Sequence, residues 1–301
     1  MTVGSRFACR LLAATAFVLS AAPALASMGQ PSPWQINLQD AATPIMEQIH
    51  SFNTFINIII GVVTLLVLVL LGICVLRFNE KRNPVPSKTT HHTMLEVVWS
   101  VVPVLVLVMI AIPSFRLLYA QYDFPKADLT IKVTGLQWFW KIEYQTAEAP
   151  ADPAAAAATN AQAAAPQPDF EFDARLLPKD QVGDEPYLLA VDNVAVVPVG
   201  KVVRVQVTGG DVIHAFAVPS FGVKIDAVPG RLNETWFRAD REGMYYGQCS
   251  ELCGKDHAFM PIAFRVVSEP EYQAWLVKAR EQFAMNPVPR AVADASAAMS
   301  R

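Results

Sequence analysis

Two long apolar segments constrain the fold of this chain more than any other feature. The segment Phe52–Leu76 contains no charged residue, and the segment Val97–Tyr119 is interrupted only by Pro103, Pro113 and Arg116. A transmembrane helix needs about 20 predominantly apolar residues, so each segment is long enough to span a bilayer. With 53% hydrophobic and 17% charged residues, the chain is also too apolar for an ordinary soluble protein of its size. The sequence predicts a two-helix transmembrane hairpin, with a buried hairpin of a soluble protein as the alternative.

The charges beside these segments predict the orientation in the membrane. The connecting loop carries four basic residues and one acidic residue: Arg77, Lys81, Arg82, Lys88 and Glu80. Residues 27–51 contain no Lys or Arg. Because cytoplasmic loops are enriched in Lys and Arg, we expect this loop in the cytoplasm and both mature termini outside. In a bacterium this means the inner (cell) membrane, with the C-terminal domain in the periplasm.

The N-terminus has the pattern of a secretory signal peptide over residues 1–26. Arg6 and Arg10 precede the apolar stretch Leu11–Leu19, and the small-residue motif Ala24-Leu-Ala26 precedes Ser27. The apolar stretch is too short for a membrane anchor, which is the alternative interpretation. We therefore predict an outer N-terminal segment over 27–51, the hairpin over 52–119, and an outer domain over 120–285.

The outer domain has the pattern of an all-β fold. Short runs in which apolar and polar residues alternate, separated by turn-forming Gly and Pro residues, predict β-strands. The predicted strands are Leu129–Thr134, Tyr187–Val191, Val202–Thr208, Val212–Val218, Thr235–Arg238 and Ile262–Val267. An Ala/Pro-rich insertion over 146–168 has too few large apolar residues to fold. Ser268 to Glu271 forms a capping box that begins a helix ending near Phe283. The tail, 286–301, is predicted to be disordered. Together these patterns indicate a β-sandwich or small barrel.

Soft metal ligands are concentrated between Cys249 and Met260. This stretch contains two thiols, an imidazole and a thioether, and a second imidazole lies upstream on a predicted strand: Cys249, Cys253, His257, Met260 and His214. A Met added to His and Cys favours copper used for electron transfer. A second Cys exceeds what one blue-copper ion needs, which indicates two coppers bridged by two thiolates. The backbone carbonyl of Glu251 could complete the ligand set.

Two other interpretations of the cysteine pair remain open from the residues alone. Nearby cysteines outside the cytosol are most often a disulfide. A cluster of Cys and His is most often a zinc site. Either one would make the domain a module that binds or stabilises a partner rather than an electron carrier.

Four motifs resemble those of cytochrome c oxidase subunit II in order and spacing. They are Gly135–Trp140, Asp211–Ser220, Asp226–Asn233 and Gly247–Pro261, the last being similar to the family's binuclear copper (CuA) loop. The resemblance runs from about Gln35 to Trp275. It implies a cupredoxin-like Greek-key sandwich that holds two coppers, accepts electrons from cytochrome c and passes them to haem in subunit I. Oxygen reduction coupled to proton pumping would then occur in a complex with subunits I and III.

The resemblance also implies roles for individual residues. His214, Cys249, Cys253, His257 and Met260 would ligate copper through their side chains, and Glu251 through its carbonyl. The Glu251 side chain would join a magnesium site shared with subunit I, unless it is an ordinary solvated acid. Trp138 would receive the electron from cytochrome c, leaving Trp140 as packing. Glu96 would lie at the mouth of a proton pathway, unless it only reaches to the membrane interface.

The charge of the outer domain fits a basic electron donor. From Ala120 onward there are 23 acidic and 17 basic residues, a difference of −6. An acidic surface raises the encounter rate of a basic partner, and no nucleic-acid partner is expected. Glu143, Asp192 and Asp211 match acidic positions near the family's docking face.

Two other families are weighed against this resemblance. A quinol oxidase would lack the copper ligands, and nitrous oxide reductase would need a repeat array that is not seen.

Overall fold

The computed structural model describes residues 29–145 and 169–283 of the chain. The predicted signal peptide (1–26), the Ala/Pro-rich insertion (146–168) and the tail (286–301) lie outside the described residues and stay predictions. Within the described part, two long helices precede a two-sheet β domain and a helix that follows its last strand.

The two apolar segments form two long helices. Helix α1 spans Pro44–Arg77 and helix α2 spans Thr93–Tyr122, with Pro103 and Pro113 inside α2. At 1.5 Å per residue they are about 51 and 45 Å long, more than the hydrocarbon core of about 30 Å. Their apolar windows have mean hydropathies of 3.3 and 2.6, and none of the residues in these windows is buried. Both helices are therefore long and apolar enough to cross a membrane.

The first turn of α1 packs against the β domain. The Thr43 hydroxyl accepts a hydrogen bond from the Met46 N–H at 3.1 Å and donates one to the Phe221 carbonyl at 2.8 Å. Thr43 thus caps the helix and links it to the domain, which is the usual function of a hydroxyl at an N-cap. Ile45 and Met46 are buried against the domain. The N-terminal end of α1 is therefore fixed to the β domain.

The β domain consists of two five-stranded sheets. The strands are β1 Leu129–Leu136, β2 Phe139–Gln145, β3 Phe170–Ala174, β4 Ala195–Pro198, β5 Val202–Gly209, β6 His214–Val218, β7 Val223–Ala227, β8 Asn233–Arg238, β9 Gly243–Cys249 and β10 Pro261–Val267. The sheet orders are β3-β2-β1-β5-β8 and β4-β10-β9-β6-β7. The β1–β5 and β4–β10 pairs are parallel, and the others are antiparallel. The predicted cupredoxin-like sandwich beside a helical hairpin is confirmed.

The core lies between the two sheets. In β5, Val203, Val205 and Val207 are fully buried and alternate with more exposed residues, as a strand with one buried face requires. Each buried valine contributes about 1.5–3 kcal/mol through the hydrophobic effect. Near the end that carries the metal-ligand loop, Trp140 packs edge-to-face on Phe216 with ring centroids 5.8 Å apart. This packing makes a rigid base for the loop.

The predicted C-terminal helix is confirmed as α3, Glu269–Phe283. The Ser268 N–H and hydroxyl both donate to the Glu271 carboxylate, at 3.2 and 2.9 Å. This is the capping contact that the sequence predicted. Tyr272 and Leu276 are buried and attach the helix to the domain.

The prediction of a strand at Tyr187–Val191 is wrong. Both Leu189 and Ala190 donate their N–H to the Pro186 carbonyl, at 3.0 and 3.2 Å, so the chain turns here. Strands β2, β3, β4, β7 and β9 were not predicted. All four residues of β4 and the last four of β2 are buried, so these strands lack the alternation by which one-sided strands are recognised.

Candidate metal centre

Strand pairing brings the five predicted side-chain ligands to one end of the β domain. His214 begins β6 and Cys249 ends β9, and these strands pair with Phe216 opposite Cys249. The loop from β9 to β10 carries the other three donors: Cys253, His257 and Met260. The ligand loop therefore lies between two strands, as predicted.

Cys249 contacts three other donors. Its Sγ lies 3.8 Å from the Cys253 Sγ, and the two cysteines are free thiols. The same sulfur is 3.9 Å from His214 Nδ1 and 3.3 Å from the Glu251 carbonyl oxygen. The structure thus brings an imidazole nitrogen and a backbone oxygen close to the Cys249 sulfur.

Cys253 contacts the remaining donors. Its Sγ lies 3.5 Å from His257 Nδ1 and 3.5 Å from Met260 Sδ. Each sulfur of the pair therefore has one imidazole nitrogen and one weaker donor beside it. His214, Cys249 and Cys253 are buried, with ligand atoms within 4.8 Å of one another, an arrangement that suits a metal site.

Asp211 holds the imidazole of His214 from the side away from the sulfurs. Asp211 Oδ1 lies 2.8 Å from His214 Nε2. The same carboxylate accepts hydrogen bonds from the N–H groups of Gln137 at 2.7 Å and Val212 at 2.6 Å. Burial raises the pKa of Asp211, but these hydrogen bonds outweigh it and leave the pKa below its ordinary value. A carboxylate on the second nitrogen of a ligand histidine fixes the tautomer and the ring orientation.

Burial and hydrogen bonding shift the pKa values of the two cysteines in opposite directions. Burial raises the pKa of Cys249, but hydrogen bonding with His214 and the neighbouring backbone lowers it below its ordinary value. Burial and the charge of Cys249 both raise the pKa of Cys253. Burial lowers the pKa of His214, but hydrogen bonds with Cys249 and Asp211 leave it raised. A cation between the sulfurs would favour ionisation of both thiols.

The segment Gly135–Trp140, which includes the turn between β1 and β2, supports the ligand loop. Gln137 Nε2 donates to the Cys253 carbonyl at 2.8 Å, and Trp140 Nε1 donates to the Met260 carbonyl at 3.2 Å. Gly135 packs so closely on His214 that a Cβ there would lie 2.9 Å from the imidazole ring. These three positions fix the loop and the histidine from the opposite sheet.

Trp138 and Trp140 have different environments. Trp140 is fully buried, with its ring centroid 5.9 Å from that of His214, which confirms its packing role. Trp138 is only partly buried. A Cβ on Gly254 would lie 2.9 Å from the Trp138 ring, and Lys255 Nζ is 5.6 Å from the ring centroid. Trp138 thus packs on the residue that follows Cys253.

The other predicted site residues lie apart from the cluster. The Glu251 side chain is exposed. Asp192 is exposed, and its carboxylate accepts two backbone N–H groups. Glu143 has only 11% of its side chain exposed and pairs with Lys132 at 3.0 Å. Glu96 is in the first turn of α2, at the opposite end of that helix from the β domain.

Sequence reasoning missed the residues that orient the ligands. Asp211 was singled out as a docking acid and not as the partner of His214. Gln137 and Gly135 were within a recognised motif but had no assigned role. The available signal for Gln137 and Gly135 was their position in the motif Gly135–Trp140. Their contacts join segments that are distant in the chain, and such contacts leave no periodic pattern in the sequence.

Family models match this chain over both of its parts. Residues 129–267 match the model described as "Cytochrome C oxidase subunit II, periplasmic domain". Residues 31–117 match the model described as "Cytochrome C oxidase subunit II, transmembrane domain". The two matches cover more than half of the chain.

Individual relatives are similar over most of their length. The chain is 47% identical over 270 residues to cytochrome c oxidase subunit 2 of Cereibacter sphaeroides, covering 90% of this chain and 88% of the relative. It is 45% identical over 258 residues to a probable cytochrome c oxidase subunit 2 of Rickettsia felis, covering 85% and 75%. The crystal structure of the periplasmic domain of subunit II of cytochrome oxidase of Bradyrhizobium japonicum is 56% identical, with a TM-score of 0.43, and the match covers 53% of this chain and 99% of that one.

Proposed function

The chain belongs to the cytochrome c oxidase subunit II family, and on this premise we propose that its five-donor cluster holds two copper ions. The protein is a subunit of a haem-copper oxidase complex. In our proposal it accepts electrons from cytochrome c and passes them to haem in subunit I. Oxygen reduction and proton pumping would then take place in the complex with subunits I and III.

The donor set is the observation that supports copper. Two thiolates, two imidazoles and a thioether are soft or borderline ligands, which copper prefers and which magnesium or calcium would not select. Two free sulfurs 3.8 Å apart form the middle of the cluster, with an imidazole nitrogen beside each. Met260 and the Glu251 carbonyl would complete the set of donors that holds the ions. These residues would hold the two copper ions, and their chemistry fits that metal.

A bound copper pair would supply a centre that gains and loses one electron with little rearrangement. The protein's own contribution is to keep the donors in place. Asp211 orients His214, and the carbonyls of Cys253 and Met260 are held by Gln137 and Trp140. Met260 has 1% and His214 0% of its surface exposed, so water is kept from these two donors. A rigid, dry site limits the reorganisation that accompanies a change of charge.

We propose that Trp138 is the point where the electron arrives from cytochrome c. The ring is partly buried and packs against Gly254, directly after Cys253, so it connects the surface with a ligand. Asp192, Asp211 and Glu143 are the acidic candidates for docking the basic partner. Asp211 has 31% of its side chain exposed, so it can both face a partner and hold His214.

We further propose a location for the protein and roles for Glu96 and the Glu251 side chain. We place the protein in a bacterial inner membrane, with the β domain and both mature termini periplasmic after removal of residues 1–26. Glu96, on the cytoplasmic end of α2, is the candidate mouth of a proton pathway. The exposed Glu251 side chain is the candidate ligand of a magnesium ion shared with subunit I, because carboxylate oxygens suit that ion.

Metal analysis and electron spin resonance of the purified full-length protein test the copper proposal. We expect two coppers per chain and a spectrum in which one unpaired electron is shared by both ions. Replacement of the ligand in His257→Ala should abolish this spectrum. One zinc per chain, or a Cys249–Cys253 disulfide without metal, would contradict the proposal and favour a structural module.

A further inference from the structure

A loop close to the first helix exposes two large apolar side chains. Trp34 is 96% exposed and Ile36 is 103% exposed, and Leu38 after them is 39% exposed. The stretch Ser32–Gln39 contains no charged residue. Single apolar residues on a surface are common, but a tryptophan and an isoleucine projecting together suggest a contact with something apolar.

The backbone conformation at Trp34 is unfavourable for a tryptophan. The Gln35 N–H donates to the Ser32 carbonyl at 3.1 Å, which closes a tight turn with Trp34 at its third position. Trp34 has a φ of 60°, in the left-handed region that favours glycine or asparagine. A bulky side chain is unfavourable there for the turn itself, so its benefit must lie outside the turn.

Hydrogen bonds attach this loop to the β domain at both ends and to α1 between them. Both ends are attached to the domain, because the Gly29 carbonyl accepts from Tyr246 N–H at 2.8 Å and Ala42 N–H donates to Ser220 at 2.9 Å. Between these ends, the Gln39 carbonyl lies 2.8 Å from His50 Nε2.

One helical turn further along α1, Asn53 Nδ2 donates to Asn37 Oδ1 at 3.0 Å. The chain from Trp34 to Asn37 is therefore the tip of the loop, beside Asn53. Asn37 thus lies farther along α1 than Gln39, beside the start of the apolar segment Phe52–Leu76.

The position of Asn53 places this tip at the membrane surface. A hydrocarbon core of about 30 Å corresponds to about 20 helical residues. Counted back from Leu76, the last residue before Arg77, this length reaches Asn57. Asn53 is four residues before it, so the loop tip lies about 6 Å outside the hydrocarbon core. This is the headgroup region, where tryptophan is enriched in membrane proteins.

We propose that Ser32–Leu38 is a membrane-interface anchor that inserts Trp34 and Ile36 into the lipid headgroup region beside α1. The bilayer is the occupant because the loop tip lies just outside the calculated edge of the hydrocarbon core, where tryptophan is enriched, and because the loop carries no charge. With α1 held at Thr43 and the loop held by lipid, the β domain has two attachments to the membrane. Interfacial anchors of this kind set tilt and height, so the loop would set the height of the metal centre above the bilayer.

Photo-crosslinking in the assembled oxidase in native membranes tests this proposal. The photoreactive amino acid p-benzoylphenylalanine replaces Trp34, which is exposed and whose replacement leaves the core untouched. After irradiation, mass spectrometry should find phospholipid attached to this chain. Attachment to another oxidase subunit would overturn the proposal and assign the surface to a protein partner, and a chain without any adduct would also overturn it.

Two positions serve as matched controls. Leu66, 56% exposed in the middle of α1, should give lipid adducts when it carries the same probe. Val277, 58% exposed on α3 of the β domain, should give none. A second measurement uses the full chain in nanodiscs with lipids brominated just below the glycerol. Tryptophan quenching should decrease in Trp34→Phe, and identical quenching in the wild type and the variant would refute insertion.

Discussion

Asp211 and His214 make a 2.8 Å contact that distinguishes the two nitrogens of the imidazole, because Nε2 faces the carboxylate and Nδ1 faces the Cys249 sulfur. A histidine free to rotate could present either nitrogen. The carboxylate removes that freedom before any metal binds, and it is itself fixed by two backbone N–H groups. The fold therefore orients the His214 imidazole in the candidate metal centre.

The change Asp211→Asn should weaken copper binding without abolishing it. An amide has the same shape but no charge, so His214 becomes a less basic ligand and its ring is less firmly held. Loss of such a partner typically costs about 10–100-fold in metal affinity, which competition with a chelator measures. The reduction potential should rise, because a less basic histidine stabilises the oxidised copper less.

Asp192→Asn is the matched control for this variant. The Asp192 carboxylate also accepts two backbone N–H groups, from Arg175 and Asn193 at 2.7 and 2.8 Å, but contacts no ligand. Its affinity for copper and its potential should equal those of the wild type. If Asp211→Asn behaves in the same way as this control, the positioning role of Asp211 is wrong.

The change Cys253→Ser should leave the protein unable to hold two coppers. The Cys253 sulfur is the atom that links His257 and Met260 to the rest of the cluster, and a serine hydroxyl is a poor ligand for copper. Copper per chain, measured by elemental analysis, should fall below that of the wild type. Cys74→Ser, at an exposed free thiol on α1, should retain the full amount. Equal copper in both variants would exclude a bridging role for Cys253.

The change Gly135→Ala should disturb the site by overpacking. The added Cβ would lie 2.9 Å from the His214 ring, so the imidazole or the strand must move. Overpacking of this kind typically costs about 1–3 kcal/mol of folding free energy. For a domain of this size, we expect the melting temperature of the metal-free protein to fall by roughly 2–4 °C per kcal/mol. Gly72→Ala, where a Cβ meets no atom within 4 Å and alanine is the better helix former, should not lower the melting temperature.

The change Trp138→Phe should separate electron arrival from copper binding. The five proposed ligands are unchanged in this variant, so the absorption and electron spin resonance spectra should be unchanged. Stopped-flow reduction by cytochrome c should be severalfold slower, because the larger indole that contacts Gly254 is gone. Trp275→Phe alters a partly buried tryptophan on α3 and should reduce at the wild-type rate. Unchanged kinetics in Trp138→Phe would refute the role of this residue.

Reduction by cytochrome c should depend on ionic strength. An acidic domain attracts a basic partner, and exposed charges are screened over about 10 Å at 0.1 M salt and 3 Å at 1 M. Removal of one exposed negative charge in Asp192→Asn should slow the second-order rate at low salt, and the difference should vanish at high salt. A difference that persists at high salt would point to a structural defect instead.

Local sequence patterns predicted those parts of the protein that depend on local properties. Uncharged length predicted α1 and α2, and a capping box predicted α3. The ligand types predicted a soft-metal site before any distance was known. The patterns failed at Tyr187–Val191, where a turn follows Pro186, and at β4, where burial on both faces removes the alternation. Neither feature can be seen without the packing of the rest of the domain.

The sequence by itself determined which donor atoms are present and how long the apolar segments are, since both are properties of residues close together in the chain. Tertiary structure decided that His214 meets Cys249, 35 residues away, because β6 pairs with β9. It likewise decided that Trp140 is core while Trp138 lies near the surface, although both belong to one motif. Both outcomes depend on the pairing and packing of strands whose residues are distant in sequence.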